Sequence, residues 1–453
     1  MKILGIDIGT TTVTALVTDT VTKAVCDSCT LKNDSFIEGK SYERLQDPQI
    51  IIDTVKEAVK SVTAHNIPDA IGVTGQMHGI LYLDRDYKPC SPLMIWQDER
   101  GNEPYENGET YAQHLTRATG YKAATGFGLT THFYNVKNGL VPQGAVMLST
   151  IHDYLVALLT GSKPVTHSSD GASLGFFNLK ELCFDEAALE IAGIDKNFLP
   201  QVITTTALAG STSCDFLPDN IPVSVAIGDN QASFLGSVAE PECSVLVNVG
   251  TGSQVSFMTK STLAPEGCEI RPLTDKDYIF VGASLCGGRA YAILKGFFSL
   301  CAEMLGGSDE NLYGKMDALS EGVFDLTDEL VVNCEFCGTR QNPEKRGFIE
   351  NIGTENFTPQ SLICGVLKGV SRELYDMYLS AQGLLEANPT SLVCSGNGLR
   401  KSEIWRQIFE KDFGLIPQLP LHSEEAAMGA CVFSGAACGI FDDIKASQNA
   451  LLR

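Results

Sequence analysis

Residues 3 to 14 read Ile-Leu-Gly-Ile-Asp-Ile-Gly-Thr-Thr-Thr-Val-Thr, an apolar run that ends in a turn of glycine and threonine. Such a run predicts a buried strand, and the turn after it gathers backbone N–H groups and hydroxyls in one small space. A concave set of these donors is suited to binding a polyphosphate. Taken alone, the turn has a second interpretation, a tight hairpin with threonine present for its β propensity.

A second copy of this pattern follows about half a chain later, where residues 246 to 253 read Leu-Val-Asn-Val-Gly-Thr-Gly-Ser. Four pairs of positions match between the two copies: Asp7 with Asn248, Gly9 with Gly250, Thr10 with Thr251, and Thr12 with Ser253. A repeated turn favours phosphate binding over a chance hairpin, and it indicates two lobes that arose by internal duplication. Neither turn has the spacing of a Walker loop.

The chemistry of the two turns predicts a nucleotide site. Glycine lets the backbone approach an oxyanion, and threonine adds hydroxyl donors. The predicted phosphate-binding residues are Gly9, Thr10, Thr11 and Thr12 in the first turn and Gly250 and Thr251 in the second. Asp7, just before the first turn, is predicted to hold Mg²⁺ through water, because this ion keeps most of its hydration shell.

Length and charge limit the classes of protein to which the chain can belong. Its 453 residues are too many for one core, so more than one domain is expected. A net charge of −22 argues against nucleic acid or an anionic membrane as a partner, since both need a basic surface. No apolar run approaches the roughly 18 residues of a spanning helix, and the first residues do not resemble a signal peptide. We expect a cytoplasmic protein, and a homodimer on base rates.

The chain has fifteen cysteines, most of them single residues within apolar segments. An odd number of scattered thiols fits a reducing compartment better than a disulfide framework. Two Cys-x-x-Cys pairs, Cys26 with Cys29 and Cys334 with Cys337, have enough ligands for one zinc ion. The pairs lie in different halves of the chain, which favours incidental thiols.

Strand and helix patterns alternate along the chain, which predicts an α/β fold. The main predicted strands are 70–74, 221–227, 245–258, 278–284 and 391–394, and the main predicted helices are 48–65, one within 141–161, 290–305, 360–386, 401–413 and 424–438. The repeat alone sets the boundary, which gives an N-terminal lobe of residues 1–240 and a C-terminal lobe of residues 241–453.

Asp229 lies where a predicted strand gives way to a helix, in Gly228-Asp229-Asn230-Gln231. A carboxylate at this junction is often only a helix N-cap. The functional alternative is a general base that accepts the proton of an attacking hydroxyl during phosphoryl transfer.

Three other polar stretches follow predicted strands or lie in loops. Gln76-Met77-His78 is flanked by glycines, and Trp96 to Arg100 places an aromatic ring beside amide, acidic and basic groups, as many sugar sites do. Gly396 and Asn397 lie between a strand and a helix, where glycine leaves room for a base or a ribose. Each stretch also has a purely structural interpretation: a hydrogen-bonded core histidine for 76–78, a surface loop for 96–100 and a simple turn at Gly396. The adjacent His152 and Asp153 are interpreted as structural, because neighbours on a helix do not face each other.

Taken in order, these motifs resemble those of the FGGY carbohydrate kinases. The shared motifs are Asp-x-Gly-Thr-Thr, Gly-Gln-Met-His-Gly, Trp-Gln-Asp-x-Arg, Gly-Asp-x-Gln-Ala and the late glycine turn, and together they span the chain. Within the family, residues 124–128, 150–154 and 172–178 resemble the members that act on sedoheptulose. Gly-Gln-Met-His-Gly is also shared with the xylulose kinases, so it does not separate the two. The late turn has two glycines where the family has three, and residues 346–351 match its pattern only loosely.

The resemblance implies a fold, an activity and a set of site residues. The implied fold is two actin-like, ribonuclease H-like lobes around a cleft, and the implied activity is transfer of the γ-phosphate of ATP, with Mg²⁺, to a terminal sugar hydroxyl. Asp229 matches the catalytic base, and Gly396 and Asn397 match the adenosine side. The implied sugar-binding residues are Gln76, Met77, His78, Trp96, Asp98, Arg100 and Asn230.

The resulting hypothesis is an ATP-dependent ketose kinase whose substrate is sedoheptulose. The nearest alternative is a kinase for xylulose, another pentulose or a polyol. A nucleotide-dependent switch of the actin or chaperone type would use the same two turns, but it would not need the polar stretches at 76–78 and 96–100. A catalytically silent sugar-binding relative is a further alternative, which an intact Asp229 disfavours.

Overall fold

The computed structural model describes residues 1–308, 310–339, 342 and 344–453. It divides into two compact units. The first comprises Met1–Ala239, Arg271–Asp277 and Leu421–Arg453, and the second comprises Glu240–Ile270 and Tyr278–Pro420.

The elements before residue 240 all belong to the first unit. Its strands are β1 (Lys2–Ile8), β2 (Thr12–Asp19), β3 (Val25–Lys32), β4 (Phe36–Ile37), β5 (Leu45–Gln46), β6 (Ala70–Gly75), β7 (Leu81–Leu83), β8 (Leu93–Met94), β9 (Met147–Ser149), β10 (Val165–His167), β11 (Phe177–Asn178), β12 (Cys183–Phe184), β13 (Gln201–Ile203), β14 (Leu208–Ser211), β15 (Pro222–Ser224) and β16 (Ile227–Gly228). Its helices are α1 (Pro48–Thr63), α2 (Tyr111–Thr119), α3 (Gly128–Lys137), α4 (Ile151–Thr160), α5 (Ser168–Leu174), α6 (Glu186–Ala192) and α7 (Asp229–Ser237).

The remaining elements follow after residue 240. The strands are β17 (Ser244–Val249), β18 (Ser253–Thr259), β19 (Glu269–Pro272), β20 (Tyr278–Ser284), β21 (Val331–Asn333), β22 (Phe348–Glu350), β23 (Ser391–Ser395) and β24 (Pro417–Gln418). The helices are α8 (Gly288–Met304), α9 (Leu312–Ser320), α10 (Pro359–Ala381), α11 (Gly396–Lys401), α12 (Glu403–Phe413), α13 (Glu425–Ala437) and α14 (Ile444–Leu452). Four short 3₁₀ helices complete the described elements: Arg100–Asn102, Lys196–Phe198, Pro241–Cys243 and Gln382–Leu384.

The main sheet of the first unit has the strand order β14-β15-β6-β1-β2-β3, and β16 also pairs with β6. Strand β1 is antiparallel to β2 and parallel to β6, and β16 is parallel to β6. The register sets Gly75 at the end of β6 between Ile8 of β1 and Gly228 of β16. Three parallel strands therefore end together, and the residues that follow them meet at one edge of the sheet.

The second unit repeats this topology. Its sheet contains the order β20-β18-β17-β23-β24, in which β17 is antiparallel to β18 and parallel to β23, as β1 is to β2 and β6. Asp7 pairs with Thr74 across β1 and β6, and Asn248 pairs with Ser395 across β17 and β23. The predicted α/β fold with an internal duplication is thereby confirmed.

Helix α1 shows how the sequence sets local structure. Asp47 caps its first turn, with its Oδ1 atom accepting from the backbone N–H of Gln49 at 2.8 Å, and Pro48 occupies the first helical position. The helix buries one apolar face, which consists of Ile51, Ile52, Val55, Ala58, Val59 and Val62. This face joins the apolar core of the first unit, as its period of about 3.6 residues predicts.

Helix α13 belongs to the first unit although it follows nearly all of the second in sequence. Gly5 and Gly72 are paired across β1 and β6, and a Cβ added at either would overlap a backbone carbonyl of α13, that of Ala427 or that of Ala430. The amide Nε2 of Gln448, in α14, donates to backbone carbonyls of the first unit. The predicted C-terminal lobe of residues 241–453 is therefore corrected. Its last part, Leu421–Arg453, packs with the first unit because small residues on both sides allow this close approach.

The helix predicted within 141–161 is confirmed as α4, and the strand β9 precedes it. Two local predictions differ from the structure. The predicted strand 245–258 is the hairpin of β17 and β18, because the Gly-Thr turn interrupts it. Gly396 to Gly398 is the start of α11 rather than a simple turn, with Gly396 at φ +82°.

Among the described residues, no helix combines the length and the apolar character needed to cross a membrane.

The substitution Gly72→Ala should destabilise the first unit. Its new Cβ would meet the Ala430 carbonyl, and two packed backbones cannot move apart cheaply, so we expect a loss of about 1–3 kcal/mol in the free energy of unfolding. Gly296→Ala, in helix α8 with open space at the Cβ position, is the matched control and should stabilise by about 0.5–1 kcal/mol. Thermal denaturation measures both, and equal midpoints for the two variants would contradict this role for Gly72.

Candidate functional site

The candidate site of the first unit lies at the edge where β1, β6 and β16 end. The backbone N–H of Gln76 donates to the Ile8 carbonyl at 2.8 Å, and the Thr74 hydroxyl donates to the Ile227 carbonyl at 2.7 Å. Both bonds fix the three strand ends against one another. Asp229 follows β16 directly and is the first residue of α7.

The Asp229 side chain is half-buried among charged groups. Burial and the charge of Asp170 raise its pKa to about 6, while His152 and Arg271 oppose the rise. Carboxyl groups with pKa values near neutrality serve well as general bases, because they are ionised at working pH yet hold a proton readily.

Asp7 carries a second perturbed carboxyl at the same edge. Burial raises the pKa of Asp7 to about 8, with further contributions from the negative charges of Asp229 and Glu424. The positive charge of His152 has the opposite effect. The Oδ1 atom of Asp7 is shielded from solvent and makes no hydrogen bond to the described residues. A shielded carboxylate oxygen without a partner is suited to a bound cation, so Asp7 fits the predicted role toward Mg²⁺.

His152 supplies positive charge within this group of acids. Its Nε2 atom is hydrogen-bonded to the Oδ2 atom of Asp170, and both side chains are fully buried. Burial alone would lower the pKa of His152, but Asp170 raises it to about 9. The pair therefore places an imidazolium near Asp7 and Asp229. The hydrogen bond of His152 is thus to Asp170, while the pKa of the adjacent Asp153 is raised by burial to about 7.

A chain of hydrogen bonds joins the predicted phosphate turn to the predicted sugar residues. The Trp96 indole donates to the Thr10 hydroxyl at 3.0 Å, and that hydroxyl donates to Oε1 of Gln76, also at 3.0 Å. Gln76 in turn donates from Nε2 to Oε1 of Gln46 at 2.8 Å. Gln46, which the sequence analysis missed, closes the ring by donating to the Thr10 carbonyl at 2.8 Å. The hydroxyl of Thr10 is thus engaged on the sugar side.

His78 has a backbone conformation that is rare for its residue type. Its φ is +71°, and such outliers concentrate at functional sites. Its Nδ1 atom lies 2.7 Å from the Ser173 carbonyl, which requires the proton on Nδ1 in the neutral ring, and the ring stacks on Phe127 at 4.8 Å. The neighbouring Met77 packs against Gly228, directly before Asp229. The Met77 contact thus lies next to the candidate base, and the sugar-binding roles of Met77 and His78 stay predictions.

Asp98 and Arg100 are bonded to each other. Asp98 accepts from Nε of Arg100 at 2.6 Å and from Nη2 at 3.0 Å, and it also accepts from the backbone N–H of Arg44. Arg100 donates onward to Asn135, and neither member of the pair is more than 3% exposed. Their predicted contact with sugar stays a prediction, whereas their observed contacts brace the loop that carries Trp96.

The candidate site of the second unit lies around the second Gly-Thr turn. The carbonyls of Gly250 and Thr251 accept from the backbone N–H groups of Gly288 and Arg289, which anchors the turn to the start of α8. A pocket of about 640 Å³ adjoins it. Its lining includes Gly250, Thr251, Arg289, Tyr291, Tyr313, Leu367, Asn397, Gly398, Lys401 and Trp405.

The aromatic side chains of this pocket were missed in the sequence. Tyr291 stacks against Tyr313 with ring centroids 5.9 Å apart, and its hydroxyl donates to Asp317 at 2.9 Å. A pocket lined by aromatic side chains and a few polar groups, beside a predicted phosphate-binding turn, is suited to a purine nucleotide. Asn397 lies in its lining, while the adjacent Gly396 faces the Val249 backbone, and the adenosine-side roles of both residues stay predictions.

Among the described residues, no three or more histidine, cysteine or acidic side chains are grouped so as to hold a metal ion. Cys26 and Cys29 lie on β3 in the first unit, and Cys334 and Cys337 lie in the second.

The chain was compared with known families and proteins. Residues 2–236 match the model of the FGGY family of carbohydrate kinases, N-terminal domain. The chain is 27% identical to a sedoheptulokinase of Mus musculus, over 95% of this chain and 96% of that one.

Two solved structures illustrate the likeness of fold. A xylulose kinase from Rhodospirillum rubrum superposes with a TM-score of 0.85 at 19% identity, covering 100% of this chain and 93% of that one. A Plasmodium falciparum glycerol kinase with ADP gives a TM-score of 0.82 at 19% identity, covering 100% and 92%.

The substitution Asp98→Asn should destabilise the first unit, because it removes the carboxylate that holds the buried Arg100 cation at 2.6 and 3.0 Å and leaves only that of Glu43, at 3.7 Å. Breaking a buried pair costs up to about 3–5 kcal/mol in the free energy of unfolding. Glu109→Gln is a matched control, since Glu109 holds Arg117 with the same two-bond geometry, at 2.7 and 2.9 Å, on the surface. Its loss should be at most about 1 kcal/mol. Denaturant titration measures both, and similar losses would contradict the bracing role.

Proposed function

Because the chain belongs to the FGGY family of carbohydrate kinases, we propose that it transfers the γ-phosphoryl group of ATP to the terminal hydroxyl of sedoheptulose. Catalysis of phosphoryl transfer to a carbohydrate follows from the family. The choice of sugar is supported by the sedoheptulokinase relative, which matches across 95% of this chain. The product would be sedoheptulose 7-phosphate.

The observation that carries the mechanism is the position and pKa of Asp229. It lies at the strand-end edge beside Met77, and burial raises its pKa to about 6. Asp229 would accept a hydrogen bond from the primary hydroxyl of the sugar, orient that oxygen toward the γ-phosphorus, and take its proton as the new phosphorus–oxygen bond forms and ADP departs.

The sugar would be bound by residues of the first unit around that edge. The predicted sugar-binding residues are Gln76, Met77, His78, Trp96, Asp98, Arg100 and Asn230. The contacts of Gln76, His78 and Trp96 favour direct binding, because their amide, imidazole and indole groups are held in place by neighbours. Asp98 and Arg100 would act through the loop that they brace.

Each unit has one predicted phosphate-binding turn. In the first unit, Gly9 and Thr11 lie in the turn after β1 and Thr12 begins β2, and both threonines are exposed. In the second, Gly250 and Thr251 adjoin the aromatic pocket, which would take the adenosine. Asp7 would hold Mg²⁺, whose charge, when bound, would offset that of the phosphate oxygens.

The nearest alternative is a kinase for a pentulose such as xylulose. The fold does not separate the two, since a xylulose kinase superposes over the whole chain. A heptulose is two carbons longer than a pentulose, so the depth of the sugar pocket determines which of the two sugars is preferred.

A coupled assay of ADP release should give the highest kcat/KM with sedoheptulose among a panel of ketoses and polyols. A higher value with xylulose would overturn the choice of sugar, and ATP hydrolysis unaffected by any sugar would favour the nucleotide-switch alternative.

The substitution Asp229→Asn should lower kcat by about 10²–10⁴-fold, the usual contribution of a general base. The amide keeps the shape of the side chain but does not accept the proton. Thermal denaturation should show a fold at least as stable as that of the wild type, because the variant removes a buried charge. Turnover within a few-fold of the wild-type value would contradict the assignment.

The substitutions Thr10→Val and Thr251→Val should differ in their effect on sugar binding. Thr251→Val removes one donor to phosphate, and we expect the KM for ATP to rise by about 10-fold or more with little change in the KM for sugar. Thr10→Val also breaks the bonds to Trp96 and Gln76, so it should raise the KM for sugar as well. Initial-rate kinetics with each substrate varied in turn measures this. A Thr10→Val effect confined to ATP would contradict the role of the hydrogen-bonded chain.

A further inference from the structure

Two cysteine thiols face each other beside the second phosphate turn. The sulfur atoms of Cys286 and Cys337 lie 3.9 Å apart, although the residues are far apart in sequence. Cys286 follows β20 and is buried, with its backbone N–H donating to the Ser284 hydroxyl at 3.2 Å. Cys337 lies in a turn after β21 and is half-buried. The structure thus places one reachable thiol in contact with one shielded thiol.

Cys286 is attached directly to the residues that hold the phosphate turn. The three residues after Cys286 donate backbone hydrogen bonds to the second Gly-Thr turn. Gly287 donates to the Thr251 carbonyl at 3.0 Å, Gly288 to the Gly250 carbonyl at 2.8 Å, and Arg289 to the Thr251 carbonyl at 3.1 Å. The Arg289 guanidinium also donates to the Cys337 sulfur at 3.7 Å. Any displacement of either sulfur is therefore transmitted to Gly250 and Thr251 over very few bonds.

We propose that Cys286 and Cys337 form a reversible disulfide when the protein meets a hydroperoxide, and that this bond weakens nucleotide binding at the second Gly-Thr turn. The site is a covalent modification site outside the sugar-binding and phosphate-binding residues. The disulfide itself stands on geometry alone, whereas its effect on nucleotide binding rests on the proposed function.

The chemistry proceeds in two steps. Cys337, the reachable thiol, attacks the peroxide oxygen and becomes a sulfenic acid, while the peroxide is reduced to water or an alcohol. The Cys286 thiol then attacks the sulfenic sulfur and displaces water, which gives the disulfide. Burial and the neighbouring Cys337 raise the pKa of Cys286 to about 12, which agrees with its role as the second thiol rather than the one that meets the peroxide. A dithiol reductant restores both thiols by thiol–disulfide exchange and is itself oxidised to a disulfide.

Bond formation requires the two sulfur atoms to approach. They must close from 3.9 Å to about 2.05 Å, a movement of nearly 2 Å that the short link to Gly287 and Gly288 passes to the phosphate turn. Disulfide formation also removes the Cys337 thiol, whose sulfur accepts a hydrogen bond from the Arg289 guanidinium in the reduced protein. Both changes disturb the geometry of Gly250 and Thr251, so the oxidised protein should bind ADP more weakly.

Cys334 is the competing partner, since it forms a Cys-x-x-Cys pair with Cys337. Its thiol is buried and donates to the Val366 carbonyl at 3.5 Å, and burial raises its pKa well above the ordinary value. That bond directs the Cys334 sulfur toward helix α10. The 3.9 Å contact of Cys337 is with Cys286.

The test is disulfide mapping on the full-length protein. The reduced protein is treated with hydrogen peroxide, its remaining thiols are alkylated, and unreduced peptides are analysed by mass spectrometry. We expect one linked pair, Cys286 with Cys337, that dithiothreitol removes. Cys337→Ser should abolish it. Cys26→Ser, which removes an exposed thiol of the first unit, is the matched control and should leave it intact. A Cys334–Cys337 link, or Cys337 oxidised further with Cys286 alkylated, would overturn the proposal.

The coupling to nucleotide binding is read separately by calorimetry with ADP. Oxidation should raise the Kd for ADP by about three- to tenfold in the wild type, as expected for one or two displaced hydrogen bonds, and should not change it in Cys337→Ser. An unchanged Kd in the fully linked wild type would overturn the coupling. If the reduced protein phosphorylates no sugar, the proposed function fails, and the peptide map still decides whether the disulfide forms.

Discussion

The site of the first unit depends on the register in which β1, β6 and β16 end side by side. Ile8, Gly75 and Gly228 lie in one row across the sheet. The side chains just before and after this row, Asp7 and Asp229 among them, are therefore gathered at one edge. A slip of a single residue in either pairing would turn alternate side chains to the opposite face and separate the acids. The second unit repeats this arrangement with β17 and β23, which suggests that register was the property kept through duplication.

Gathering acids at a poorly hydrated edge is costly, and the fold offsets part of the cost. Burial raises the pKa of Asp7 to about 8 and that of Asp229 to about 6, which is unfavourable for their ionised forms. The imidazolium of His152, paired with Asp170, lowers the pKa of both acids and limits this rise. Two carboxyls with pKa values set apart can take different roles, one toward a cation and one toward a proton. The destabilising charge is thus concentrated where the proposed chemistry needs it.

Much of this arrangement could be predicted from the sequence, because its signals are local. A glycine-threonine turn after an apolar run needs only a dozen residues to be recognised, and its repetition predicted the duplicated topology. His78 and Asp229 were found in the same way, as polar residues directly after apolar strands.

The parts that were missed depend on contacts between residues distant in sequence. Gln46 reaches Thr10 and Gln76 from another strand, and Asp170 reaches His152 from another helix. The aromatic residues of the second pocket, such as Tyr291, lie in helices whose apolar pattern looks like ordinary core. Leu421–Arg453 was assigned to the wrong unit because a helix of small residues does not show in its sequence which sheet it will pack against. The glycines at positions 5 and 72 were the available sequence signal for this packing, because they leave room for a close helix.

The account rests on Asp229 as the group that accepts the sugar proton, and the pH dependence of kcat/KM for the sugar tests this most directly. An ionised Asp229 is required, so with ATP and Mg²⁺ saturating, which would keep Asp7 ionised, the rate should be constant above the pKa of Asp229 and fall about tenfold for each pH unit below about 6. The residual activity of Asp229→Asn should lack this fall. A wild-type rate that stays constant from pH 5 to pH 8, or a variant that keeps the same acid limb, would contradict the account.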